Sequence, residues 1–370
     1  MKIILHTLLL LILSAPLRSQ ARTFEDETTP PPKTPSVQTP SAPSRYVQID
    51  LSNYPIDQLV GMARSAYQKG DYPSAIKHYY WALHKGHDGY YEMASYYALS
   101  GDTQAANYWL IKDATDGSPD LSWTEQDEDM KNLRSSEQWA NTKQFISEME
   151  NYWHNSKKFS YSLIVPDGYT GEIALPTMVA LHGKGDSPES FIHEGYQSLS
   201  NNMKVAFIGI SGPTVLGKNA YAWTPDYETN ITHIQKVMQV IAKNEGLKLA
   251  SKALFGFSQG AQVSLTVAVN NAPEWNGALA MSPGLYPVKS IELTDAVKNA
   301  PPTALQKQIY IITNGELEHQ YNLSLSQQDR EYLVTHGAQV NQYSYPNAGH
   351  HFPADYYDKL PVWIGKFLNL

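Results

Sequence analysis

The stretch Gly256-Phe257-Ser258-Gln259-Gly260 places a hydroxyl between two glycines. The run ALFGF leads into it and AQVSLTVAV follows, an order of strand, tight turn and helix in which a serine can be lifted clear of a sheet. The plainer alternative is a serine that only caps a helix. A serine hydroxyl is a weak nucleophile until a base takes its proton, so a histidine is required. Ala348-Gly349-His350-His351-Phe352 supplies one near the end of the chain: His350, directly after Gly349, is the expected base, and His351 should point elsewhere. The imidazole in turn needs a carboxylate to hold its tautomer and stabilise the imidazolium. The run QIYIITN ends in Gly315-Glu316-Leu317-Glu318, which makes Glu318 the expected acid and Glu316 the alternative, since either follows that strand closely. Serine, acid and histidine occur in the chain order used by one large class of hydrolases.

Attack on a carbonyl creates an oxyanion that needs donors, and backbone amides usually provide them. One is expected from Gln259, directly after the serine; the other from the loop after an earlier strand. That loop is His182-Gly183-Lys184-Gly185-Asp186, behind the run TMVAL, and Lys184 is its expected donor. His182 precedes the serine in the chain and is expected to brace the loop. Such chemistry needs no metal and no organic cofactor. The chain contains no cysteine, which excludes disulfides, thiolate metal sites and a cysteine nucleophile.

Taken together, HGKGD, GFSQGA, GELE and NAGHH resemble the carboxylesterase/phospholipase group that includes the acyl-protein thioesterases, whose members show HG-x-GD and GFSQGG. The resemblance covers roughly Lys158 to Leu370, with the four motifs in the family's order. It implies Ser258, an acid at position 318 and His350 as the triad, with oxyanion amides at Lys184 and Gln259. The family usually has Asp where this chain has Glu318. The segment Asn219-Ala220-Tyr221-Ala222-Trp223 resembles an aromatic stretch that flanks the family's site, which implies Trp223 as a substrate-binding residue lining an acyl pocket; packing of the loop is the alternative.

The elements that must carry these residues are legible as apolar runs. Strands are expected over Phe159–Val165, Thr177–Leu181, Lys204–Ile210, Lys252–Phe257, Gly277–Met281, Gln308–Thr313 and Gln339–Tyr345. Helices are expected over Tyr227–Asn244, Gln259–Val269, Ser324–His336 and Ala354–Phe367. Nearly continuous apolar strands separated by helices predict an α/β fold, an α/β-hydrolase with a mostly parallel sheet over residues 154–370. Ligands of such sheets bind beyond the carboxyl ends of the strands, where the motifs lie.

Before it, residues 51–153 predict a small all-α helical-repeat region. QLVGMARSAYQKGDYPSAIKHYYWAL aligns with GYYEMASYYALSGDTQAANYWLIKDA, with Gly70-Asp71 against Gly101-Asp102, and resembles tetratricopeptide repeats. Two repeats fall short of a self-supporting stack, so Asp120 to Trp153 is expected to cap them with one more helix and to dock them on the hydrolase. Their tyrosines and tryptophans are expected to pack between helices, a groove for a protein partner being the alternative. Residues 22–50, rich in Pro, Thr and Ser, predict an extended linker. Residues 1–21, with Lys2, the apolar run from Ile3 to Ala15 and small residues around Ala21, predict a cleaved signal peptide and an exported protein; an uncleaved anchoring helix is the alternative.

A formal net charge of −8 offers no basic surface for a phosphate backbone, so nucleic acid is excluded as a partner. The expected function is that of an exported serine carboxylesterase acting on soluble small-molecule esters of short or medium chain, because a hydrolase segment of this length leaves room for little or no lid. The competing readings are a peptidase on the same fold and a scaffold that binds partners through its helical repeats.

Overall fold

The computed structural model describes residues 20–24, 30–36, 50–284 and 305–370. The signal peptide predicted over residues 1–21 lies outside them apart from its last two positions, as does most of the predicted linker.

Eight strands form one sheet: β1 (Gln20–Phe24), β2 (Phe159–Ile164), β3 (Leu175–Leu181), β4 (Ala206–Ile210), β7 (Leu249–Phe257), β8 (Gly277–Met281), β9 (Ile309–Gly315) and β10 (Gln339–Tyr345), in the order β1-β2-β4-β3-β7-β8-β9-β10. β1 and β2 pair antiparallel, as do β2 and β4; every pairing from β4 through β3 to β10 is parallel. The period of two along a strand divides the core between the faces. In β3, Val179 and Leu181 join one cluster and Met178 and Ala180 the other. The first face is covered by α10 (Tyr227–Glu245), α11 (Gln259–Asn270) and α12 (Gln320–Thr335), which contribute Ile234, Val263 and Leu333. The second is covered by α13 (Tyr356–Leu368), whose Trp363 and Phe367 pack on it beside Phe191. This is an α/β-hydrolase fold, as the apolar runs predicted.

The edge strand β1 was not expected. Residues 20–24 straddle the predicted leader and linker, yet they pair from Gln20↔Leu163 to Phe24↔Phe159. Arg22 extends from this edge to Glu245, Nε to Oε1 at 3.1 Å, and Tyr161 donates to the same carboxylate oxygen at 2.6 Å. The sheet thus takes its first strand from far upstream, and the helical region is an insertion between β1 and β2.

That region contains two antiparallel helical hairpins, α1 (Ile56–Gln68) with α2 (Tyr72–His84) and α3 (Tyr90–Ser100) with α4 (Thr103–Asp116). The Gly-Asp pairs explain their turns. Gly70 and Gly101 take positive φ of 73° and 87°, which a side chain would resist. Asp71 and Asp102 then cap the next helix by accepting from the Ser74 and Ala105 amides. In place of one capping helix the chain forms the short α5 (Leu121–Gln126) and α6 (Lys131–Arg134) and then α7 (Trp139–His154). The tyrosines pack between helices: Tyr79 meets Tyr96 edge to face with ring centroids 5.4 Å apart.

A second, two-stranded sheet, β5 (Thr214–Gly217) with β6 (Ala220–Ala222), leaves the hydrolase and enters this helical core. Val215 and Tyr221 are buried among its residues, and the Lys218 amide donates to the Gly117 carbonyl at 3.1 Å. The helical region is therefore docked on the hydrolase through this hairpin.

Candidate active site

Ser258 stands between β7 and α11 with φ 56° and ψ −121°, a conformation that non-glycine residues adopt only when the surroundings impose it. The neighbouring glycines make the turn possible. A Cβ on Gly256 would lie 2.3 Å from the Gly260 carbonyl oxygen, and one on Gly260 would lie 2.0 Å from that of Leu181. The Ser258 amide donates to Met281 at 3.0 Å, and the Ser258 carbonyl accepts from the Ala261 amide at 3.1 Å. Both backbone groups are engaged and the hydroxyl is left to its partner.

That partner is His350, in the loop after β10. Its Nε2 lies 2.8 Å from Ser258 Oγ, and its Nδ1 lies 2.6 Å from Glu318 Oε2. Glu318 is buried at 5% exposure, and its other oxygen accepts from the His319 amide and from Asn322 Nδ2, both at 3.0 Å. Glu316 is exposed, and its amide donates to the Tyr345 carbonyl at 3.0 Å. Of the two carboxylates open in the sequence, the structure brings Glu318 to the histidine. His351 is exposed, and its carbonyl accepts from Ser282 Oγ at 3.1 Å, which ties down the loop carrying His350.

The loop after β3 lies against Ser258, for a Cβ on Gly183 would come within 3.5 Å of Ser258 Cβ. Neither the Lys184 amide nor the Gln259 amide has an acceptor among the described residues. His182 is buried, and burial lowers its pKa to about 4, so it is neutral near pH 7. Its Nε2 accepts from the Gly212 amide at 2.9 Å, which leaves the proton on Nδ1 to donate to the Gly183 carbonyl at 2.6 Å. In a trans peptide the carbonyl and the following N–H point opposite ways. Holding the Gly183 carbonyl therefore aims the Lys184 N–H, and the lysine side chain extends into solvent.

Trp223 is 2% exposed and belongs to the core. Its indole N–H donates to the His182 carbonyl at 3.0 Å. Its backbone exchanges two hydrogen bonds with the Gln259 side chain, amide to Oε1 at 2.9 Å and carbonyl from Nε2 at 3.0 Å. Trp223 thus packs and ties the loop, with both polar ends of the residue engaged inside the protein. The roles of the Gln259 and Asn322 side chains were not foreseen, since amides in helices carry no sequence signal of their own. Apolar surface beside His350 comes from Phe257, whose ring lies 5.0 Å from that of His350 and stacks on Phe352 at 4.6 Å. Leu317 and Phe352 are left 70% and 39% exposed.

Residues 154–368 match the family model described as "Putative esterase". No curated protein matches the chain in sequence. Among solved structures it is similar to an acyl-protein thioesterase 2 from Zea mays, at 17% identity and a TM-score of 0.42, covering 56% of this chain and 97% of that one. A phospholipase/carboxylesterase from Dyadobacter fermentans is 23% identical with a TM-score of 0.40, covering 53% and 93%. A protein from Bacillus cereus covers more of it, 85% against 98% of its own length, at 16% identity and a TM-score of 0.42.

Proposed function

Because this chain belongs to the esterase family, whose model spans more than half of it, we propose that it hydrolyses carboxylic esters through an acyl-enzyme on Ser258. The observation that carries this reading is the unbroken path from Ser258 Oγ through His350 to the buried Glu318. Ser258 Oγ attacks the ester carbonyl carbon as its proton passes to His350 Nε2. The oxyanion so formed accepts from the Lys184 and Gln259 amides, whose N–H groups are unengaged among the described residues. Collapse of this intermediate breaks the bond to the alcohol, which leaves with the proton from His350. Water then gives a proton to His350 and attacks the acyl carbon, and Ser258 is regenerated as the acid departs. Trp223 acts behind the loop as a positioning residue and not as a wall of the acyl site.

The substrates we propose are soluble esters of short or medium chain, supported by the small apolar surface that Phe257 and Phe352 form beside His350. Export follows from the leader-like N-terminus and is proposed on that ground alone. Labelling with a fluorophosphonate tests the nucleophile. The wild-type protein should be labelled and Ser258→Ala should not, with unchanged circular dichroism; label retained by the variant overturns the assignment. A panel of p-nitrophenyl esters, thioesters and peptide anilides then separates esterase from peptidase.

A further inference from the structure

The helical region touches the hydrolase through the β5–β6 hairpin, and the far side of that hairpin touches the loop that carries Lys184. On the helical side, Gly217 runs so close to the turn after α4 that a Cβ would fall 1.9 Å from the Gly117 carbonyl oxygen and 2.8 Å from Ser118 Cα. Lys218 completes the contact, its amide bonded to the Gly117 carbonyl and its Nζ 3.6 Å from Asp116. Val215, at 0% exposure, is enclosed by the helical core.

On the catalytic side, Tyr221 bridges to the loop in both directions: its amide donates to the Asp186 carbonyl at 3.0 Å, and its carbonyl accepts from the Gly185 amide at 2.8 Å. Two residues further on, Trp223 holds the His182 carbonyl and the Gln259 side chain. Positions 182, 185 and 186 of the loop are thus fixed from a strand whose own Tyr221 is seated in the helical core. Gln259, which supplies the second amide, is fixed from the same strand end. A three-residue strand on a short hairpin is too small to hold this geometry alone, since an isolated two-stranded hairpin is at best marginally stable in water.

We infer that the inserted helical region positions the oxyanion donors of the hydrolase, through β5–β6, with Tyr221 and Trp223 as the positioning residues. This rests on the proposed roles of Ser258, Lys184 and Gln259. The oxyanion exists only in the tetrahedral state, so loosening its donors lowers kcat while leaving KM nearly constant.

The test uses the full chain with three substitutions: Gly217→Ala, which forces the hairpin off the helices; Val215→Ala, which thins the same contact without a clash; and Trp223→Phe, which removes the indole N–H and part of the ring volume while keeping an aromatic side chain. Turnover of p-nitrophenyl acetate is measured per fluorophosphonate-labelled site, so that unfolded protein is not counted. Binding of a trifluoromethyl ketone, which becomes an oxyanion on Ser258, is compared with that of the methyl ketone, which stays a ground-state ligand. Expected is a fall in kcat of about 10- to 100-fold for Gly217→Ala and Trp223→Phe, less for Val215→Ala, with a parallel loss of trifluoromethyl ketone affinity and little change in KM. If Gly217→Ala yields no soluble protein, Val215→Ala carries the helical arm of the test. Full kcat and full trifluoromethyl ketone affinity in the soluble docking variants overturn the inference. A wild-type protein that neither turns over ester nor takes the label overturns the reading of Ser258, and this inference with it.

Discussion

Glu318 Oε2 and His350 Nδ1 lie 2.6 Å apart, while the other Glu318 oxygen is held by two donors, the His319 amide and Asn322 Nδ2. The carboxylate has no freedom to rotate away. It fixes the imidazole with its proton on Nδ1, which leaves Nε2 free to accept from Ser258, 2.8 Å away.

Glu318→Gln should therefore do more than remove a charge. The amide oxygen would take the site of the two donors, turning the NH2 group toward His350 Nδ1 and forcing the proton onto Nε2, the wrong tautomer. A fall in kcat of about 10³- to 10⁴-fold is expected, with the fold intact. Glu316→Gln, on an exposed side chain, should leave kcat almost unchanged. Steady-state kinetics on both variants check this, and the reverse pattern would exchange the two residues.

Gly260→Ala tests the elbow. The added Cβ would meet two backbone carbonyl oxygens, Leu181 at 2.0 Å and His182 at 2.4 Å, and neither can swing aside as a side chain could. The clash pushes α11 from the end of β3 and separates Ser258 from the Lys184 loop. A drop in the thermal midpoint together with loss of ester turnover is expected. Unchanged values for both in calorimetry and assay would contradict the close approach.

Asp113 predicts a pH dependence in the helical region. Burial pushes its carboxyl up to about 8, Glu92 adds to the rise, and the Ser118 amide pulls against it. Between the ordinary carboxylate range and pH 8 the folded state thus keeps a proton that the unfolded chain has released. Stability falls as pH rises through that window and levels off above it. Asp113→Asn, which cannot ionise, should unfold at a higher temperature than wild type at pH 8 and show a flatter profile from pH 5 to 8. Parallel profiles of thermal midpoint against pH would show that Asp113 is not the group responsible.

Sequence alone determined most of the hydrolase strands and the tight turn that carries Ser258, because both are local. Short continuous apolar runs bounded by turns, such as AFIGI and GALAM, read as buried central strands, and a glycine-flanked serine between strand and helix carries its turn with it. The Gly-Asp pairs of the helical hairpins were legible for the same reason, each combining a positive-φ glycine with a capping carboxylate. The tertiary structure decided whatever depends on distance through space. It brought Glu318 and not Glu316 to His350, since two carboxylates two residues apart have the same sequence context and differ only in what packs around them. It turned Trp223 inward, onto His182 and Gln259. It also added residues 20–24 as the edge of a sheet whose next strand begins at Phe159, a pairing made by backbone groups that every residue carries and no composition reveals.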